Sequence, residues 1–176
     1  RSARSDTSGD NSGIYIRQKE RESAQSLWIW TGTGPGMNWS SQESTVTKKH
    51  RASVLSLALA LLLIRGGEKV GLAGSGTPPS NSRKSIYSLT HQLDDPSRSE
   101  EELPQKHHLP QNSALVCFSD FLSPLEEQKK VFQNLANQKL KVWLVQILDP
   151  AEMNLPYTGR VNFQLPQTGE ELLHSD

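Results

Sequence analysis

Leu27-Trp28-Ile29-Trp30-Thr31-Gly32-Thr33-Gly34-Pro35-Gly36-Met37 is the stretch whose reading decides the fold. Leu27 to Trp30 is apolar at every position, with no polar alternation, as in a strand covered on both faces. Parallel strands inside a three-layer α/β sandwich read this way. The glycine-rich run that follows is a loop at the end of that strand. The polar stretch Asn38 to Thr47 then separates it from the next element.

Downstream the same alternation repeats. A helix is expected from Lys48 to Arg65, stopped by Gly66-Gly67, because glycine readily takes the conformation that ends a helix. Its centre, Val54 to Ile64, is so apolar that the helix reads as buried on most sides. Lys69 to Ala73 is a second strand. Ile86, Leu89 and Leu93 recur at helical spacing within Arg83 to Leu93. Asp94 to Asn112 is polar and reads as a long surface loop or a partly ordered helix. Ala114 to Phe118 is a third strand. Ser123-Pro124-Leu125-Glu126 places Ser at an N-cap and Pro at the first helical position, with Leu125, Phe132 and Leu135 as the apolar face. Val142 to Leu148 reads as a buried strand ended by Asp149-Pro150, and Arg160 to Leu165 as a last edge strand. Residues 1–13 are expected to be a flexible remnant of a longer protein, with Ile14 to Gln18 a short strand. A single domain therefore covers residues 14–176. Alternating strands and helices imply a mostly parallel sheet with helices on both faces. Ligands in such sheets sit beyond the carboxyl ends of the strands. The loops after Trp30, Ala73, Phe118 and Leu148 thus share one rim.

Composition narrows the function. The 176 residues carry 19 basic and 19 acidic side chains. That balance supplies no electrostatic drive toward nucleic acid or an anionic membrane. The run Val54 to Ile64 is shorter than the roughly 20 apolar residues that span a bilayer, so no membrane segment is expected. Cys117 is the sole cysteine; an internal disulfide is excluded, and one thiol in an apolar strand fits a reducing, cytoplasmic setting.

Several signatures occur in a fixed order: Trp28 to Met37, Arg65-Gly66-Gly67-Glu68, Ser119-Asp120-Phe121 with Leu122-Ser123-Pro124-Leu125-Glu126, and Val145-Gln146-Ile147-Leu148-Asp149-Pro150-Ala151-Glu152. In this order the chain resembles the bacterial domain-of-unknown-function family fifty-eight, whose domain is of the von Willebrand type A class. The resemblance implies a Rossmann-like A-type sandwich. It also implies association with MoxR-type AAA+ ATPases and a role in chaperoning or assembling other proteins. In A-type domains the loop after the first strand reads Asp-x-Ser-x-Ser-Met and holds a divalent cation. Here Gly32, Gly34 and Gly36 stand at the three ligand positions, and Met37 keeps the register. The resemblance thus implies a metal-ion-dependent adhesion site that has lost its side-chain ligands.

The candidate site is a partner-binding rim of Gly32, Gly34, Gly36, Trp39, Thr77 and Asp120. Asp120 matches the acidic tip of the fourth A-type strand; its ordinary role would be a loop hydrogen bond. Thr77, or Ser75 beside it, would supply a hydroxyl. No metal and no cofactor are expected; any metal would have to use Asp120 and Thr77. Thr31 and Thr33 are one residue out of register, so their hydroxyls should point away. A phosphate-loop reading of Gly32 to Gly36 fails, because no helix opens directly after it and no Gly-Lys-Ser/Thr follows. His107-His108 reads as a solvated loop pair, since adjacent residues in extended chain point opposite ways. Cys117, flanked by Val116 and Phe118, reads as packing. Of the four tryptophans, Trp28, Trp30 and Trp143 read as core, and Trp39 as either rim packing or an exposed contact anchor. An enzyme reading lacks a paired acid and base. The reading that needs least is a non-catalytic protein-interaction domain. Its alternative is a metal-dependent adhesion domain using Asp120 and backbone carbonyls.

Overall fold

The computed structural model describes residues 26–41, 46–104, 109–164, 169 and 171–175. The expected flexible segment, the strand at 14–18 and His107-His108 lie outside these. Four parallel strands form the main sheet: β1 (Ser26–Thr31), β2 (Lys69–Leu72), β3 (Ala114–Ser119) and β4 (Lys141–Gln146), in the order β2-β1-β3-β4. The helices are α1 (Lys48–Arg65), α2 (Lys84–Asp94), α3 (Leu125–Asn137) and the short α4 (Pro150–Asn154). This is the expected α/β architecture. From β1 the chain connects to β2 on one side and then returns to β3 on the other, and the loops after β1 and β3 meet at this switch point to form the rim.

Both faces of the sheet are covered. Ile29, Val70, Val116 and Phe118 point to the side of α1 and α2, where they meet Ala52, Ala60, Ile64, Leu89 and Leu93. Trp30, Leu115 and Cys117 point to the opposite side and meet Leu135 of α3. The period of two along β1 and β3 sorts these residues to opposite faces. That is why Leu27 to Trp30 shows no polar position.

Helix α1 has the bounds expected from sequence. Thr47 caps it by accepting a hydrogen bond from the His50 amide, and Gly67, at φ 89°, takes the left-handed conformation that ends it. It is not buried on most sides. Its buried stripe is Lys48, Ala52, Ser56, Ala60 and Ile64, while Val54, Leu55, Leu61 and Leu62 face outward. Small residues in the stripe bring the helix close to the sheet, and only one sheet face is available to it.

Other expectations are corrected. Among the described residues β4 is an edge strand, hydrogen-bonded to β3 alone, and Trp143 and Leu144 are each half-exposed. Ser123 does not cap α3. Its hydroxyl has no partner among the described residues, and Pro124 occupies the cap position; the Gln128 side chain instead donates to the carbonyls of Phe121 and Ser123. Leu125 is exposed, and Val131, Phe132 and Leu135 form the inner face. The last strand pairs elsewhere: β5 (Arg160–Gln164) runs antiparallel to β6 (Glu171–Ser175) in a separate two-stranded sheet.

Half of the polar stretch after α2, expected as a long surface loop or a partly ordered helix, is a surface loop held in place. Residues 95–104 lie across the end of β1 as a strap. The Thr33 hydroxyl donates to the Ser99 carbonyl and accepts from the Glu101 amide, both at 2.8 Å. Trp30 Nε1 donates to Glu101 Oε2 at 3.2 Å. Arg98 donates to Thr31 Oγ1 at 3.0 Å and to the Thr31 carbonyl at 3.3 Å.

Candidate functional site

The rim is built where β1 and β3 end. After β1, Gly32 to Met37 turns through a short 3-10 helix (Pro35–Asn38), and Met37 drops into the core. The Gly32 amide donates to the Phe118 carbonyl at 2.8 Å, which holds the loop against β3. After β3, Asp120 sits at the strand tip and is followed by Phe121 in the left-handed region at φ 52°. Trp39 leads toward α1, whose first residue, Lys48, donates its amide to the Trp39 carbonyl at 3.4 Å.

The cationic group at this rim is a buried lysine. Lys48 is almost wholly buried, 3% exposed. Its Nζ donates to Asp120 Oδ2 at 3.1 Å and to Glu152 Oε1 at 2.6 Å, and it lies 5.8 Å from the centroid of the Trp39 ring. Glu152 is fixed in turn, because its other carboxylate oxygen accepts the Asp149 amide at 2.7 Å in the capping box of α4. Asp149 accepts from the Ala151 amide at 3.0 Å and from the Ser41 amide at 3.1 Å. Burial acts to raise the Asp149 pKa; hydrogen bonds from Ser41 and Ala151 and the charge of Lys48 outweigh it, so its carboxyl titrates below the ordinary range. Three loops are thereby tied together by one ammonium and its carboxylates.

The glycines are explained by what surrounds them. A Cβ on Gly32 would lie 2.5 Å from Ser119 Oγ, one on Gly34 2.6 Å from Glu102 Cγ, and one on Gly36 2.6 Å from Asp120 Oδ2. Ser119 and Asp120 are buried, and Asp120 is held by Lys48, so neither can easily give way. Neighbouring side chains fill the space that a side chain at any of the three positions would take.

Of the sequence-derived rim residues, the structure brings Gly36, Trp39 and Asp120 together. Gly32 faces Ser119 inside the strand ends, and Gly34 lies under Glu102 of the strap. Thr77 is elsewhere: its hydroxyl pairs with Ser75 Oγ at 2.7 Å and accepts from Gln92 Nε2 at 3.2 Å. Thr31 and Thr33 are spent on the strap, as their register implies. Trp39 is 38% exposed and flanks Lys48, so it is both packing and surface. Among the described residues no cluster of three or more His, Cys, Asp and Glu side chains has the arrangement of a metal site. Cys117 is buried in β3, and burial pushes its thiol pKa up to about 12. Lys48, Glu152 and Asp149 are the members that sequence reasoning missed. The signal in the sequence was weak: a lysine in the first turn of a helix opposes the helix dipole by less than about 1 kcal/mol and otherwise reads as solvated.

With this geometry in place, comparison with known proteins identifies the class. Residues 2–175 match the family described as "Protein of unknown function DUF58", and the chain belongs to it. No curated protein matches the chain. Among solved structures it is similar to an aerotolerance-related membrane protein from Bacteroides fragilis NCTC 9343, a form with multiple mutations to serines. Identity is 16% and the TM-score 0.51, over 86% of this chain and 81% of the other. That likeness concerns the fold. Among the described residues, no helix is long and apolar enough to cross a membrane.

Proposed function

We propose that this chain is a non-catalytic protein-interaction domain of the A-type class, with a degenerate metal-ion-dependent adhesion site. In this reading it acts with a MoxR-type AAA+ ATPase, on the cytoplasmic side, in assembling or chaperoning other proteins. The observation that carries the reading is Lys48 seated between Asp120 and Glu152. An A-type rim captures its ligand through a bound cation; here a tethered ammonium already neutralises the acidic tip, and the glycine loop is filled. Recognition then falls to the exposed side chains of the rim, Trp39 first among them. Among the described rim residues, Lys48, Asp120 and Glu152 are hydrogen-bonded to one another, which supports a binding role over a catalytic one.

Asp120→Arg is not a surface probe, because it would set a second cation against buried Lys48. The informative variant is Trp39→Ala. Purified domain, stripped of divalent ions, is mixed with a purified MoxR-type ATPase and captured. The reading predicts undiminished capture after stripping and at least a tenfold loss with Trp39→Ala. Capture that requires Mg²⁺ or Mn²⁺ on the domain would favour the metal-dependent adhesion reading. Equal capture by Trp39→Ala would move the interface off the rim.

A further inference from the structure

Beside the Lys48 cluster lies a cleft of about 920 Å³ between the rim and the β5–β6 hairpin, at the upper end of the size usual for ligand sites. Its apolar wall is formed by Trp39, Leu122, Leu155, Tyr157, Val161 and Phe163. Leu122 and Leu155 are both about three-fifths exposed, so this wall is open to solvent. Tyr157 and Phe163 stack edge to face with centroids 5.4 Å apart, which fixes two aromatic rings in the cleft wall.

The charges are unbalanced. Lys48 is the sole cation among the described lining residues, and both hydrogen bonds recorded for its ammonium go to carboxylates. Against it stand Asp120 behind, and Glu152 and Glu171 on the wall. Glu171 is exposed, with one carboxylate oxygen accepting from Asn162 Nδ2 at 2.9 Å. Among its described residues the cleft therefore carries excess negative charge beside aromatic faces. Aromatic rings attract cations through their quadrupole, arginine above all, and Arg is among the commonest anchors in protein interfaces.

We propose that this cleft takes an apolar peptide segment of a partner protein that carries an arginine or lysine, its cationic head toward Glu152 and Glu171 and its apolar neighbours on Trp39 and Leu122. This deepens the reading of the rim as a partner surface and rests on it. It reverses the polarity of a metal-bridged rim, which draws an acidic group.

The test uses the whole chain, isotope-labelled, and three synthetic peptides: acetyl-Leu-Phe-Arg-Leu-amide, and the same peptide with Arg replaced by Gln or by Glu. Amide and indole shifts are followed by NMR up to millimolar peptide. The proposal predicts shifts centred on the Trp39 indole, Leu122, Leu155 and Asn162. It predicts affinity for the Arg peptide at least tenfold above that for the Glu peptide, with Gln between. Glu171→Gln should cut the Arg preference severalfold, and 0.5 M salt should shrink it, since exposed charges are screened. Equal affinities, preference for the Glu peptide, shifts away from the cleft, or no binding by any peptide would each overturn it. Loss of ATPase capture in Trp39→Ala alongside charge-blind peptide binding would leave the rim reading standing and remove only this inference.

Discussion

Lys48 is the residue on which the site turns. Burying an ammonium costs several kcal/mol unless carboxylates and hydrogen bonds offset it. Asp120 and Glu152 do so at 3.1 and 2.6 Å. Removing one partner leaves uncompensated charge, so Lys48→Met should destabilise the domain by about 3 kcal/mol, the low end for a buried pair because the carboxylates keep some solvent access. For a chain of this size that is a fall in Tm of roughly 6–12 °C. Combining Lys48→Met with Asp120→Asn and Glu152→Gln should recover most of the loss; thermal melts of the single and triple variants decide it. Asp149 sets an acid limit. Its folded pKa lies below the ordinary 3.8, so its contribution is complete above that value and drains away as pH falls through the lowered pKa. Asp149→Asn should therefore flatten the drop in Tm below about pH 4 relative to the parent. An unchanged acid limb would place the acid sensitivity elsewhere.

At the scale of elements, residues 95–104, read from sequence as a long surface loop or a partly ordered helix, are a surface loop tied down as a strap. Its attachment is polar and specific: the Thr33 hydroxyl bonds at both its donor and acceptor sides, and Arg98 closes over Thr31. Burial draws the Arg98 pKa down, opposed by the nearby charges of Glu101 and Asp95. Thr33→Val keeps the shape and removes the bonds to the carbonyl of exposed Ser99 and the amide of half-buried Glu101, at a cost of about 1 kcal/mol each because water reaches both groups in part. The expected outcome is a lower Tm together with faster amide exchange across residues 98–102. A variant as well protected as the parent would show that the strap is held by packing alone. The glycine loop makes the reverse point. Introducing Gly32→Asp, Gly34→Ser and Gly36→Ser together should not rebuild a metal site. Each new Cβ falls within 2.6 Å of Ser119, Glu102 or Asp120, so the triple variant is expected to melt lower and to ignore Mg²⁺.

Across the whole molecule, local signals were legible and distant pairings were not. The bounds of α1 follow from its apolar run and Gly66-Gly67, and the central strands β1 and β3 follow from unbroken apolar stretches. The place of β4 at the edge did not, because strand order is a property of the assembled sheet and Val142 to Leu148 reads the same in the middle or at the side. The acidic tip Asp120, Gly36 and Trp39 were found from sequence and do converge. Thr77 was not brought to them; a hydroxyl in a Ser- and Pro-rich loop finds nearer partners. Lys48 and Glu152 stand 104 positions apart, and a lysine at a helix start reads as solvated until the fold places carboxylates around it. The most direct measurement of the account is a thermal melt of the parent and of Lys48→Ala, each in millimolar Mg²⁺ or Mn²⁺ and in chelator. A ligand stabilises only in proportion to its occupancy. With its own ammonium in place the parent should melt at the same temperature in both. Lys48→Ala should melt lower and regain part of the loss with added cation, because two carboxylates plus water suffice for a weak divalent site. A saturable metal-dependent shift in the parent that Lys48→Ala abolishes would contradict the claim that Lys48 stands in the cation's place.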